Sequence, residues 1–375
     1  MRVLIIFGTR PEAIKMAPLV TKLSQTDGVE VGICVTAQHR QMLDQVLELF
    51  GIQPHYDLDI MRDGQGLGYI TAEVITRLKA VFASFRPDWV IVQGDTSTTF
   101  AGALAAFYEK VKVAHVEAGL RTGNIESPWP EEMNRILTTR LSALHFAPTE
   151  DARGNLEREG VPGDRIVVTG NTVIDALFQT LEKIDADAGL RSKLDDRFPF
   201  LSDLRGRKLI LATGHRRENF GGGLERMCRA LARLADREDV VVAYPVHLNP
   251  VVQEAANKVL HGRTNVHLLP PQDYLPFVRL MRSAHFIISD SGGIQEEAPS
   301  IGKPVLVTRD TTERPEAVAA GTVALVGTDV DAIVRKASQL LDDPRAYEAM
   351  SFAHNPYGDG HASERITERI LQEGL

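Results

Sequence analysis

The sequence predicts an α/β protein made of two doubly wound parallel sheets, and three observations carry that expectation. The chain has 375 residues, more than one ordinary core organises and suited to two α/β domains. Short buried-strand patterns alternate with longer amphipathic helical patterns from Val3 to Phe146, and the alternation resumes from Leu209 to Val307. Several of these strands run directly into small or charged residues, as they do where open α/β sheets build their sites.

In the first half, Val3–Phe7, Val31–Thr36, Trp89–Val92, Val113–Val116 and Leu144–Phe146 read as buried strands. Between them Glu12–Gln25, Gln41–Phe50, Leu67–Phe85, Ser97–Glu109 and Glu131–Arg140 read as amphipathic helices. The pattern pauses after Val167–Asn171, and the charged, helix-like residues 180–199 suit a connection between two similar domains. It then resumes with Leu209–Ala212, Val240–Tyr244, Val266–Leu268, Phe286–Ile288 and Val305–Val307. From His354 the chain carries a Pro-Tyr-Gly-Asp-Gly turn and one more helix. The expected division is residues 1–170 completed by 360–375, against 171–359. Two such domains facing each other would leave a deep cleft.

Composition limits the function classes. Charged residues make up 25% and the apolar set 43%, as in a folded globular chain. With 42 basic and 50 acidic residues the net charge is −8, and no basic block suggests nucleic acid as a partner. Cys34 and Cys228 are the only cysteines, which speaks against a disulfide framework or a thiolate metal site and fits a reducing cytoplasm. The opening MRVLIIFGTRPE reads as a buried strand rather than a signal peptide. No apolar run reaches membrane-spanning length.

The most informative stretch is Phe286–Val305, FIISDSGGIQEEAPSIGKPV. A strand ends at Ser291-Gly292-Gly293 and a helix opens, an arrangement that aims free N–H groups at an anion. The two glycines would let the backbone approach a phosphate or take φ > 0. Glu297, a turn into the helix, would repel a bare phosphate but could grip ribose hydroxyls, so a nucleoside diphosphate fits. An ordinary βα turn is the plainer alternative. His215 beside Arg216 and Arg217 at another strand end suits a phosphate. Within Pro271–Phe277 an amide, Gln272, and an aromatic, Tyr274 or Phe277, could read a base, and Arg314 lies at a further strand end. Arg10 precedes the first helix and Lys15 lies inside it, and both could reach an anion, a surface Arg and Lys at a helix start being the commoner case. Asp95, Glu117 and Glu131 stand at three successive element boundaries. Each has a structural alternative, such as capping for Asp95 or the helix dipole for Glu131. Together they resemble equipment for acid–base work on a sugar. Gly64-Gln65-Gly66-Leu67-Gly68 follows no buried strand and reads as a loop.

The motifs FGTRPEAIKMAP, VTAQHRQMLDQVL, GDTSTTFAG, HVEAGLRTG, SPWPEEMNR, GNTVIDAL, TGHRRENFG, YPVHLNP, SDSGGIQEEAP, GKPVLVTRDTTERPEA and HNPYGDG run from end to end of the chain. In these the sequence closely resembles the non-hydrolysing UDP-N-acetylglucosamine 2-epimerases of bacteria. The resemblance implies two Rossmann-like domains of the glycosyltransferase-B type, with the C-terminal helix returning to the first. It implies a cytoplasmic homodimer that feeds cell-surface polysaccharide synthesis and is activated by its own substrate at a second site. Carried over by residue, Arg10 and Lys15 contact the substrate, and Gln272, Phe277, Ser291, Gly292, Gly293, Glu297 and Arg314 hold the uridine, ribose and diphosphate. Asp95, Glu117, Glu131 and His215 form the catalytic set. Gln41, Gln45 and Arg217 are candidates for the effector site.

The implied reaction interconverts UDP-N-acetylglucosamine and UDP-N-acetylmannosamine. No carbonyl lies next to C2 to acidify its hydrogen, so UDP would leave first and place positive charge on C1. Loss of the C2 proton gives a 2-acetamidoglucal, to which UDP adds back with a proton on the other face. The scheme calls for no cofactor and no metal. It needs a stabilised leaving group, carboxylates for two proton transfers and exclusion of water. Asp95 and Glu131 are read as the bases and Glu117 as their support or the cation's, with the assignment to faces open. Three alternatives differ in outcome. The hydrolysing relative releases N-acetylmannosamine and UDP, a glycosyltransferase of the same fold would need an acceptor loop, and a UDP-sugar sensor has no use for three acids.

Overall fold

The computed structural model describes residues 1–37, 40–62 and 64–374, with the side chains of Arg40 and Gln41 outside that description. The chain divides into two compact units, Met1–Phe178 with Tyr357–Leu375, and Gln179–Pro356. The first unit runs β1 (Arg2–Phe7), α1 (Arg10–Ser24), β2 (Glu30–Val35), α2 (Arg40–Phe50), β3 (Tyr56–Asp57), α3 (Leu67–Phe85), β4 (Trp89–Gln93), α4 (Ser97–Tyr108), β5 (Lys112–Val116), α5 (Glu131–Leu141), β6 (Leu144–Ala147), α6 (Glu150–Arg158) and β7 (Ile166–Val168). Helix α7 (Thr172–Ala186) starts in this unit and carries the chain into the second.

The second unit continues with α8 (Ala188–Arg197), β8 (Lys208–Thr213), α9 (Gly223–Leu234), β9 (Val240–Pro245), α10 (Pro250–Leu260), β10 (Val266–Leu269), α11 (Tyr274–Ser283), β11 (Phe286–Ser289) and α12 (Gly292–Ser300). After these come β12 (Val305–Val307), α13 (Pro315–Ala319), β13 (Val323–Leu325), α14 (Val330–Asp342) and α15 (Pro344–Ser351). The closing helix α16 (Ala362–Gln372) belongs to the first unit, where it packs on α1. Asp175 of α7 anchors its start, accepting from the N–H groups of Ala362 at 3.3 Å and Ser363 at 2.8 Å. Among the described residues no helix is long and apolar enough to cross a membrane.

The strand order is β3-β2-β1-β4-β5-β6-β7 in the first unit and β10-β9-β8-β11-β12-β13 in the second. All recorded pairings are parallel. The expected α/β class with two parallel sheets is therefore what the chain forms. Central strands are buried on both faces, as in Val3–Phe7 and Trp89–Val92, because helices cover each side. Strand order reverses between β1 and β4, and again between β8 and β11. At such switch points adjacent loops leave in opposite directions and open a crevice at the carboxyl ends. Edge strands β3 and β13 and helices α6, α14 and α15 went unread; two- or three-residue edges and the polar run EDARGNLER of α6 give little periodic signal.

The crevice at β1/β4 is closed from below by close approach and a buried acid. A Cβ on Gly8 would lie 2.0 Å from Thr36 Oγ1 and 2.6 Å from Thr98 Oγ1, so only glycine fits there. Glu12 is 2% exposed, and its Oε2 accepts from the N–H groups of Gly8 at 3.0 Å and Thr9 at 2.8 Å. Its Oε1 accepts from the Thr96 hydroxyl at 2.6 Å and the Thr99 hydroxyl at 3.1 Å. One carboxyl group thus ties the β1–α1 loop to the start of α4. Burial raises its pKa above 4.5, although hydrogen bonds from Thr96, Thr9 and Gly8 oppose the rise.

Replacing Glu12 with Ala orphans these donors and is expected to cost about 2–4 kcal/mol. Glu12→Gln keeps an acceptor for the two N–H groups, and the hydroxyls can rotate to accept from its amide, so it costs less. Because the folded pKa is raised, the native state binds this proton more tightly than the unfolded chain. Glu12's contribution is full below about 4.5 and is lost as pH rises through the folded value. Urea denaturation across that window should show this loss in the wild type and a flatter profile in Glu12→Gln.

Candidate active site

In the first unit the three expected acids occupy three different chemical states. Asp95 follows β4 but does not cap α4, since Thr96 is the N-cap and its hydroxyl accepts from Thr99 N–H at 3.1 Å. Its carboxylate meets Arg135 Nη2 at 2.6 Å, and its carbonyl accepts from Asn134 Nδ2 at 2.9 Å. Arg135 also reaches Glu132 at 2.8 Å, and Glu132 accepts from Thr122 N–H at 2.9 Å and Gly123 N–H at 3.1 Å. Helix α5 is thereby fixed against the β4–α4 loop.

Glu117 follows β5 and is 8% exposed, with φ at +61°, a left-handed conformation uncommon for a residue carrying a side chain. Lys15 forms an ion pair with its Oε1, which also accepts from Asn171 Nδ2 at 2.9 Å, while Gln93 Nε2 donates to Oε2. Glu131 opens α5, half-buried, and its carboxylate has no hydrogen-bond or ion-pair partner among the described residues. Arg10, the first residue of α1, likewise has no carboxylate partner among them. Beneath the site, His115 Nε2 lies 2.7 Å from Gly94 O, and burial pushes its pKa down to about 4, so a neutral ring supports the loop before Asp95.

The second unit presents a different chemistry at β8/β11. Asp290 is fully buried and accepts from the N–H groups of His215 and Arg216, both at 2.9 Å, and from Asn219 Nδ2 at 3.1 Å. His215 Nδ1 lies 3.2 Å from the same carboxylate, and the ring is 41% exposed. Burial works against the Asp290 charge, but His215 and these backbone donors outweigh it and hold the carboxyl below 3.8. The β8–α9 loop is thus pinned over the N-terminus of α12, where Ser291 is the N-cap.

Gly292 and Gly293 begin α12 without positive φ, so of the two expected roles left-handed backbone is not the one they fill. A Cβ on Gly292 would lie 3.8 Å from Arg216 Nη2, and one on Gly293 3.8 Å from Glu297 Oε2. Arg216 Nε is buried and lacks a partner among the described residues. Glu297 is 7% exposed and accepts from the Tyr274 hydroxyl at 2.7 Å. A helix N-terminus, an incompletely paired guanidinium and a buried acid one turn on therefore lie together. Arg314 pairs through Nε with the buried Glu296, and Gln295 Oε1 accepts from Thr312 at 2.7 Å. Gln272 precedes α11, with Oε1 buried and unpartnered among the described residues, and Phe277 is half-buried on that helix.

Of the effector candidates, Gln45 is exposed on α2 and Arg217 is exposed after β8, while the side chain of Gln41 lies outside the described residues.

The family model for UDP-N-acetylglucosamine 2-epimerase matches residues 21–371. The chain belongs to this family. The UDP-N-acetylglucosamine 2-epimerase of Yersinia pestis is 60% identical over 99% of this chain and 98% of its own, and that of Escherichia coli K12 is 58% identical over the same shares. The crystal structure of the UDP-GlcNAc 2-epimerase from Neisseria meningitidis bound to UDP-GlcNAc superposes with a TM-score of 0.91, at 53% identity over 99% of this chain and 100% of that one. The Methanocaldococcus jannaschii UDP-GlcNAc 2-epimerase in complex with UDP-GlcNAc and UDP gives 0.81 at 34% identity, covering 100% of both chains. The family expected from the sequence is thus the one found.

Several residues of this epimerase fold escaped the sequence reading, namely Glu12, Gln93, Glu132, Arg135, Asn171, Asp290 and Glu296. Asp290 carried a readable signal, an acid at the end of a buried strand like Asp95 and Glu117. Asp290→Ala orphans three donors and should lower stability by about 2–4 kcal/mol in urea denaturation. His215→Ala, at an exposed ring, should cost under about 1 kcal/mol. Equal losses would mean the ring, rather than the carboxylate, holds the loop.

Proposed function

We propose that this chain reversibly epimerises UDP-N-acetylglucosamine at C2 to UDP-N-acetylmannosamine without hydrolysis. The observation that carries the reading is the unequal state of three carboxylates at the carboxyl ends of one sheet. Glu117 is engaged by an ammonium and two amides, Asp95 by one guanidinium, and Glu131 by no group among the described residues. Proton transfer at carbon needs a carboxylate with acceptor capacity to spare, which favours Glu131 and Asp95. A charge fixed by three donors serves better to stabilise positive charge as it develops on C1.

The second unit holds the UDP moiety. N–H groups at the start of α12, Arg216 and His215 take the diphosphate, Glu297 the ribose hydroxyls, and Gln272 with Phe277 the uracil. Arg314 braces that region through Glu296, and Arg10 and Lys15 supply cations on the sugar side. As the C1–O bond breaks, its electron pair stays with UDP, whose growing charge these donors stabilise. One base takes the C2 proton to give the 2-acetamidoglucal. UDP re-adds at C1, and a proton delivered to the opposite face of C2 completes the inversion.

The same reading takes the enzyme to be a cytoplasmic homodimer that supplies cell-surface polysaccharide synthesis. Gln41, Gln45 and Arg217 remain the candidates for an activating second site.

Proton NMR in heavy water with UDP-N-acetylglucosamine tests the reaction. Deuterium should appear at C2 of both nucleotide sugars with no free sugar. Free N-acetylmannosamine with UDP would identify a hydrolysing enzyme, and absence of exchange and turnover would refute the enzyme reading. Glu131→Gln should lower kcat by about 10²–10⁴-fold while leaving UDP affinity, measured by calorimetry, near that of the wild type.

A further inference from the structure

Glu117 is held in a conformation that its own backbone does not favour. Left-handed φ on a residue with a side chain is strained and persists only where the surroundings over-determine it. Here they do. On one side Val116 O accepts from Gly94 N–H, and on the other Ala118 N–H donates to Phe146 O, both at 3.0 Å. The carboxylate is then gripped by Lys15, Gln93 and Asn171.

The two carboxamides come from separate elements, and both are buried, Gln93 at 3% exposure on β4 and Asn171 at 2% just before α7. A carboxylate can only accept, so each amide must present its nitrogen, and neither orientation is interchangeable with its flip. Asn171 is itself fixed. Its backbone N–H donates to Tyr357 O at 2.7 Å, and its Oδ1 accepts from Val173 N–H at 3.2 Å. The preceding Gly170, at φ +84°, faces Gly358, at φ +123°, so closely that a Cβ on Gly170 would lie 3.1 Å from the Gly358 Cα. The returning C-terminal segment therefore presses directly on the residue that orients Glu117.

We propose that Gln93 and Asn171 are positioning residues of the reaction. They keep Glu117 ionised and aimed, so that the Lys15–Glu117 pair keeps one geometry through both half-reactions. The inference rests on the reading of Glu117 as part of the catalytic set, and the test separates the two.

Asn171→Asp and Gln93→Glu are near-isosteric but replace a donor with a second carboxylate. Two carboxylates in contact share a proton, one apparent pKa rises, and a single negative charge is restored only as pH falls. Each variant should lose about 10–100-fold in kcat at pH 8 and recover relative to the wild type at lower pH, with KM changed by no more than about twofold. A role confined to folding would lower the urea midpoint without this pH signature, and that result overturns the proposal. The two substitutions lie on different elements, so either one carries the test if the other fails to fold. Wild-type turnover in both, with Glu117→Gln inactive, would refute the positioning role and leave Glu117 in the catalytic set. Wild-type turnover in Glu117→Gln would remove Glu117 from that set, and the proposal with it.

Discussion

A buried carboxylate has to be given donors, and that requirement organises both sites. Glu12, Glu117, Glu132, Asp290, Glu296 and Glu297 are each under 9% exposed in a chain whose net charge is already −8. Leaving any of them ionised without partners would cost several kcal/mol. The donors that satisfy them come from elements distant in sequence. Glu12 draws on the loops after β1 and β4, Glu117 on α1, β4 and the start of α7, and Asp290 on the loop after β8. Loops at the carboxyl ends of parallel strands have no ladder of their own to hold them. Here buried acids do that work.

The two units apply the same device to opposite ends. In the first, acids hold amides and cations so that other carboxylates are left accessible beside them, as Glu132 and Arg135 do for Asp95. In the second, Asp290 gathers the N–H groups of His215 and Arg216 and sets the Arg216 side chain near the first turn of α12. The outcome is a carboxylate-rich face at one switch point and an anion-accepting face at the other. The proposed reaction, which separates a diphosphate from a sugar carbon while moving a proton at the next carbon, needs both kinds of surface.

The central strands and the first five helices were legible because parallel strands buried on both faces read as unbroken apolar runs and the stretches between them are amphipathic. The resemblance carried the family, and composition alone would not have done so. Within the site, acids placed directly after strands stood out, whereas the groups that hold them did not. Glu131 and Glu132 are adjacent and identical in the sequence. They differ only because successive helical residues point about 100° apart, which turns Glu132 toward Arg135 at i+3. Asn171 and Gln93 are ordinary polar residues until the fold brings them to the same carboxylate. Nothing local in the sequence encodes a contact between residues 54 positions apart.

The degree to which each acid is held also supports the roles proposed for them. The Glu117 side chain is 7% exposed and the Asp95 side chain 27%, each paired to a cation, while Glu131 sits half-buried at the opening turn of α5 without one. A group that must take up and release a proton at carbon has to change its charge without dismantling its surroundings. Protonating Glu117 would weaken its bonds to Lys15, Gln93 and Asn171 together, in a place where water cannot compensate. Protonating Glu131 disturbs no such network among the described residues. The grip that would make Glu117 a dependable fixed charge would make it a poor proton carrier, and the proposed reaction therefore leaves proton transfer to Asp95 and Glu131, the acids held least.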